Sequence, residues 1–178
     1  GPKEIFIIDD SSIDPLARVQ LNEISKNFPN INIIYNEKNK GLSATRNIGI
    51  SLSTGKYIQF LDADDLLLPG KIDYQIEHFR LGNDLDISIT DFFLCDEVVA
   101  EFSIMETNIA SFELSLDDFL YKWERGLTIP IHCALFRKEV FQNIKFEESL
   151  SAKEDWVLWC RQAQLRKRIS FLNIYGAL

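Results

Sequence analysis

The sequence contains no apolar run approaching the ~18 residues that a membrane-crossing helix needs, and its first residues do not read as a signal peptide. Cysteine is sparse. Cys95, Cys133 and Cys160 are odd in number, far apart and without a CxxC pair, and only His78 and His132 could join them. That scarcity argues against a disulfide framework and a zinc centre, and fits a reducing compartment. Positive charge is also short, with 19 Lys and Arg against 27 Asp and Glu and a formal net charge of −8. Such a balance opposes broad, non-specific attraction to nucleic acid, although the local cluster Arg166-Lys167-Arg168 could still touch phosphate. Internal repeats, low-complexity tracts and linkers are absent as well.

What is present suits one globular domain. The 178 residues are 46% hydrophobic and 12% aromatic, enough for a single sizeable core. Gly1-Pro2 reads as a cloning scar, which leaves 3–178 as the domain. Short β-branched runs alternate with helical patterns in the first half, the signature of βαβ units around a largely parallel sheet. Strands are expected at Ile5–Ile8, Ile31–Tyr35, Tyr57–Asp62 and Asp86–Thr90. Ser12 is placed to cap a helix with Asp14 and Pro15 in its first turn, ending near Phe28-Pro29. A second helix follows Gly41, is led by Ser43 and stops before Gly55. A third starts at Pro69 and carries Ile72, Ile76 and Phe79 on one face. The second half is less regular: a hairpin or meander through Phe92–Ile104, a helix near Leu116–Trp123, a strand near Ile131–Phe136, a helix near Glu154–Leu165 and a closing strand at Ile169–Tyr175.

Acidic residues gather where strands end. Asp9 and Asp10 follow IFII, and Asp62, Asp64 and Asp65 follow YIQFL within FLDADDLLLPGKI. Like charges so close raise the free energy of the folded chain unless water, a cation or helix amides answer them. In open α/β sheets the carboxyl ends of strands form the ligand crevice. Residues two apart in extended backbone point the same way, so Asp62 and Asp64 can project together. Carboxylates are hard ligands, and one or two of them plus a diphosphate complete the shell of Mg²⁺ or Mn²⁺. Capping is the competing role for Asp10, Asp65 or Ser12 taken singly, though a cap needs one carboxylate and not three. Ser151 and Glu154 satisfy the S-x-x-E capping box, with Asp155 suited to the first turn that follows. His132, alone among apolar neighbours, reads as a core or edge residue. Trp123, Trp156 and Trp159 read as packing.

NKGLSATRNIGISLSTGKYIQFLDADDLLLPGKI closely resembles the central segment of family-two glycosyltransferases, the inverting, nucleotide-sugar-dependent enzymes of the GT-A fold. Five features occur in order: an Asn/Lys-Gly loop, the Ala-Thr-Arg-Asn helix, the Thr-Gly-Lys-Tyr turn, the apolar strand, and the acidic motif with Pro69 after it. IFIIDDSSID resembles the family's preceding strand and acidic turn, and SAKEDWVLWCR its later segment with the catalytic base.

The resemblance implies an α/β GT-A (Rossmann-like) fold, with a nucleotide-binding part at about 3–90 and an acceptor and base part at about 91–178. It implies Asp9 and Asp10 beside the base and ribose, Asp62 and Asp64 as the DxD motif, and Asp64 as the direct ligand of Mn²⁺ or Mg²⁺ with Asp62 nearer the ribose. Asp65 would stand behind them. Lys40 and Arg46 would approach the nucleotide and offset diphosphate charge. Asp155 would take the acceptor proton. The partners implied are a nucleotide-diphosphate sugar, most simply a UDP-sugar, and a glycan or lipid-linked acceptor. The expected setting is bacterial polysaccharide assembly in the cytoplasm or at the inner membrane face, with room for a homo-oligomer.

The chain departs from the family at both ends. The usual first strand is not seen before KEIFIIDD, which would leave a neighbouring strand edge and apolar surface uncovered. The far end stops at NIYGAL, and no Gln-x-x-Arg-Trp occurs. A truncated, catalytically inactive nucleotide-binding domain is therefore one alternative. The other is a phosphorelay receiver, imitated by Asp9, Asp10, Asp62 and Thr90 but lacking a Lys-Pro-like turn at a suitable distance.

Overall fold

A computed structural model describes residues 4–82, 84–96, 101–104 and 109–178. The first two apolar runs form strands β1 (Ile5–Asp9) and β2 (Ile31–Tyr35), paired in parallel with Ile5 opposite Ile31 and Asp9 opposite Tyr35. Helix α1 (Pro15–Asn27) connects them. Its cap is Asp14, whose carboxylate accepts the Leu16 N–H at 2.9 Å, and Pro15 takes the first helical position, where no N–H is needed. Ser12 is not the cap, because left-handed Ser11 (φ 66°) turns the chain first and the Ser12 N–H is drawn back to Asp9 at 3.3 Å.

Gly41 (φ 87°) opens helix α2 (Leu42–Leu52), and strand β3 (Tyr57–Gln59) follows. β3 is shorter than expected: the ladder holds Tyr57 to Gln59 only, and the chain leaves it before the acidic motif. Helix α3 (Lys71–Leu81) starts after Pro69 and left-handed Gly70, and packs Ile72, Ile76 and Phe79 with Tyr57, Leu85 and Leu135. Strand β4 (Ile87–Asp96) runs past Thr90 and pairs antiparallel with β5 (Glu101–Ile104), forming the expected hairpin, whose tip lies outside the described residues. Helix α4 (Leu116–Tyr121) is closed by a Ser115–Asp118 capping box. Strand β6 is confined to Ala134–Arg137, because Ile131–Cys133 winds into a single tight turn with Cys133 N–H on the Pro130 carbonyl at 3.1 Å. Helix α5 (Glu154–Gln164) and strand β7 (Ile169–Ala177) close the fold.

The larger sheet has five strands and is mixed. β6 runs antiparallel to both β3 and β4, whereas β7 runs parallel to β4. The expected α/β architecture holds, and within it β6 departs from the parallel sense: it follows the tight turn at Ile131–Cys133 and runs opposite to β3 and β4. β1 and β2 make a separate two-stranded sheet, and no described strand joins β1 to β3. The two are tethered by the Glu4 carboxylate, which accepts the N–H groups of Thr54 (2.6 Å) and Gly55 (2.8 Å) and the Thr54 hydroxyl (2.9 Å). α1 buries no residue, and Ile13, Leu16, Val19 and Phe28 are exposed.

The core lies between the five-stranded sheet and α5. Ile87, Ile89, Phe136, Phe119 and Trp159 are fully buried, and the Trp159 ring stacks at 5.6 Å from Phe136 and 5.9 Å from Phe119. Its indole N–H reaches the Ile129 carbonyl at 3.0 Å, and that of Trp156 reaches the Phe119 carbonyl at 2.7 Å, so both tryptophans are packing residues.

β7 presses closely on α3. A Cβ added at Gly176 would stand 2.4 Å from Thr90 Oγ1 and 2.9 Å from Lys71 Cγ. Gly176→Ala is therefore expected to lower stability by roughly 1–3 kcal/mol through overpacking, read as a lower urea midpoint. Gly41→Ala, with open space around its Cβ but φ 87° and ψ 163°, a region that glycine alone adopts readily, should cost about 1–3 kcal/mol through backbone strain.

Candidate active site

One buried guanidinium gathers the acidic residues. Arg46, on the second turn of α2, is 6% exposed, and its Nη2 donates to both oxygens of Asp62 at 2.7 and 3.0 Å. Its Nη1 donates to Asp155 Oδ1 at 2.6 Å and to Glu154 Oε1 at 3.2 Å. Its Cζ also lies over the Phe146 ring, 5.1 Å from the centroid. Burial alone would weaken the charge of Arg46, but Asp155, Asp62 and Glu154 hold its pKa above the ordinary value.

Asp155 Oδ2 has no partner among the described residues. Burial pushes the Asp155 carboxyl up to about 6, with Glu154 and Asp62 adding like-charge repulsion and Arg46 opposing it. A carboxyl in that range is ionised at neutral pH yet basic enough to take a proton. Asp155 stands in the first turn of α5 as expected, but the cap does not form. The residue before the helix is left-handed Lys153 (φ 67°), no side chain caps it, and Glu154 turns to Arg46 instead of back to Ser151.

The acidic motif is a tight turn, with Asp65 N–H on the Asp62 carbonyl at 3.3 Å. Its three carboxylates have different fates. Asp62 is taken by Arg46, and Asp65 turns inward onto the imidazole of His132. Asp64 is exposed and has no hydrogen-bond or ion-pair partner among the described residues. His132 is 6% exposed, so its role as a buried residue holds, but its contact with the acidic motif was not legible. Burial raises the pKa of Asp65 and lowers that of His132.

The first acidic pair also divides. The Asp9 carboxylate accepts, among the described residues, only the Ser12 N–H at 3.3 Å. Asp10 is committed to the loop leading into α2: its oxygens accept Asn36 Nδ2 (2.7 Å) and the backbone N–H groups of Lys40 (3.0 and 3.1 Å) and Gly41 (2.8 Å). Those bonds outweigh burial and hold its pKa below the usual value. Lys40 thus contributes its amide, while its exposed ammonium has no partner among the described residues. Arg46 meets carboxylates where an approach to the diphosphate was expected. α2 connects the two halves, with Asp10 at its first amides and Arg46 one turn on.

Among the described residues, no three His, Cys, Asp or Glu side chains are arranged to hold a metal by themselves. Within the acidic turn, Asp64 offers the one unengaged carboxylate among the described residues, a hard oxygen donor of the kind divalent cations take. Asp62, expected as a second ligand, gives both oxygens to Arg46. The receiver-like alternative fares poorly, since its acceptor would be this same Asp62, and the Thr90 hydroxyl is buried on the Cys133 carbonyl at 3.2 Å.

Comparison with known proteins identifies the family and the fold. The family model for glycosyl transferase family 2 matches residues 1–145. The uncharacterized glycosyltransferase YibD of Escherichia coli K12 is 35% identical over 182 residues, covering 97% of this chain and 52% of that protein. The minor teichoic acid biosynthesis protein GgaB of Bacillus subtilis is 28% identical over 156 residues, covering 85% and 16%. Residues 1–349 of TarS from S. aureus share the fold with a TM-score of 0.76 at 20% identity, covering 99% of this chain and 52% of that one, and a UDP complex of TarS gives 0.72. The chain spans about half the length, or less, of the curated relatives compared here.

Removing Arg46 would leave Asp62, Glu154 and Asp155 facing one another without a counter-charge. Arg46→Met should lower stability at pH 8 by about 3–5 kcal/mol, the range for breaking a buried ion pair. The freed carboxyls would have raised pKa values, so the deficit should shrink as pH falls and they protonate. Urea unfolding at pH 8 and pH 5 measures both effects.

Proposed function

The chain belongs to glycosyl transferase family 2, and from that membership and the geometry of the acidic crevice we propose that it binds a nucleotide-diphosphate sugar and transfers the sugar to an acceptor hydroxyl with inversion, a transferase of the EC 2.4 type. One observation carries the reading. A single buried arginine ties Asp62 of the DxD motif to Asp155, so the donor-binding turn and the base are held as one unit while Asp64 is left free.

Asp9, with its carboxylate largely unengaged, accepts a ring N–H of the base, and the loop that Asp10 pins lines the nucleotide. Lys40 faces the diphosphate from that loop. Asp62 stands toward the ribose, held by Arg46, whose role is to position carboxylates and not to touch phosphate. Asp64 would hold Mn²⁺ or Mg²⁺, which supplies charge neutralisation for the departing diphosphate. Asp155 accepts the acceptor proton on Oδ2 as that hydroxyl attacks the anomeric carbon from the face opposite the leaving group. The Oδ1 bond to Arg46 fixes its direction and keeps it ionised.

The UDP complex of the TarS fold supports UDP as the nucleotide, and the name of GgaB, a minor teichoic acid biosynthesis protein, supports a role in polymer synthesis; the acceptor proposed is a glycan or a lipid-linked sugar. No helix among the described residues is long and apolar enough to cross a membrane; the proposed setting is the cytoplasm or the inner membrane face.

Calorimetric titration with UDP, with and without Mn²⁺, tests the reading. Binding should require the metal in the wild type and be lost in Asp64→Ala, with the fold intact by circular dichroism. UDP binding without turnover on any donor would favour the inactive nucleotide-binding alternative. Asp155→Asn should retain UDP binding and lower kcat by roughly 10²–10⁴-fold. Because protonated Asp155 cannot accept a proton, kcat/KM should fall as pH drops through about 6 and be level above it.

A further inference from the structure

The turn that carries Asp64 is fastened at three points. Asp62 is held by Arg46 at its start. At its end, Leu66 and Leu178 exchange backbone hydrogen bonds of 2.7 and 2.9 Å, and Leu68 N–H donates to the Gly176 carbonyl at 2.9 Å. Between these, Asp65 reaches inward to Nδ1 of His132. His132 stands on the tight turn before β6, and its carbonyl accepts Gln59 Nε2 at 2.9 Å. The other end of the Gln59 amide receives Lys71 Nζ at 2.7 Å. The imidazole lies edge-on to Phe92 with centroids 6.3 Å apart, and its buried Nε2 has no partner. The bond to Asp65 is therefore the single use the ring makes of its polarity within the described protein, and leaving one nitrogen unmet costs free energy that a Leu would not.

We propose that His132 is a positioning residue for the acidic turn: it holds Asp65 inward so that Asp64, one position earlier, projects outward to the donor diphosphate. This rests on the nucleotide-sugar reading above. Asp64 and Asp65 are neighbours in one tight turn, so the contact that draws Asp65 into the protein also fixes the backbone from which exposed Asp64 projects. Loss of the anchor would let the turn rotate, and the ligand carboxylate would lose its direction without any atom of the donor having touched His132.

UDP affinity in the presence of Mn²⁺, together with the melting temperature, separates this from a packing role. His132→Leu fills the space without a donor and should weaken UDP binding ten- to a hundredfold, the range for groups that orient metal ligands. His132→Asn places an N–H near the position of Nδ1 and should bind within about threefold of wild type. Asp65→Ala should lose as much affinity as His132→Leu, and the double variant no more than either. A His132→Leu protein that melts lower yet binds UDP as the wild type does would make His132 a packing residue and overturn the proposal. Should His132→Leu fail to fold, Asp65→Ala decides: unchanged UDP affinity overturns it, and a comparable loss upholds it. Wild type that binds no UDP overturns both this inference and the proposed function, whereas equal binding by wild type and variant overturns this one alone.

Discussion

The site depends on burying one positive charge among three negative ones. A guanidinium withdrawn from water is unfavourable alone, and so is each carboxylate packed beside another. Arg46 resolves both by its shape: a planar fork can bond Asp62 on one side and Asp155 and Glu154 on the other, where an ammonium would act as a point charge. Four of its contacts are within 3.2 Å. The consequence is geometric as much as energetic. Two segments far apart in sequence, the turn after β3 and the start of α5, are fixed to one rigid group on α2.

A second buried cation supports the floor beneath this cluster. Lys71 is 1% exposed, and among the described residues its Nζ bonds only amide oxygens, those of Gln59 (2.7 Å) and Gln75 (2.6 Å). Burial lowers its pKa to about 8, so it remains mainly charged at neutral pH without a carboxylate to neutralise it. Gln75 in turn bonds the Ser88 and Cys133 carbonyls, and Gln59 those of Phe60 and His132. These side chains stitch α3 to β3, β4 and the turn before β6 where the backbone ladder ends, which keeps the acidic turn from drifting as the strands run out.

Much of this was legible in the sequence. The strands at IFIID and INIIY, the helices after Gly41 and Pro69 and the hairpin following β4 are set by local pattern, and local pattern is visible. The division of labour within each acidic cluster was not. Asp10 and Asp9 are adjacent and identical in type, yet one is consumed by loop amides, because only the folded path of residues 36–41 decides which carboxylate meets them. The Ser151–Glu154 box failed for a related reason: Glu154 has a stronger claimant in Arg46, 108 residues earlier in the chain. Likewise, the antiparallel sense of β6 and the meeting of His132 with Asp65 are tertiary facts with no spacing to betray them.

The same cluster sets a limit on how well the fold and the site can both be served. Asp155 held near pKa 6 favours its neutral form by roughly 3 kcal/mol more than an exposed aspartate does. Its folded-state pKa lies above its unfolded value, so its contribution favours folding at low pH and is lost as pH rises from about 4 through about 6. Above that range, where the proposed base must be ionised, the fold carries a carboxylate that burial and two like charges disfavour. Arg46 is what makes that state tolerable. Strengthening its hold would lower the pKa and blunt the base, and loosening it would protonate Asp155 and release the turn. The geometry sits between those outcomes because one side chain answers to both.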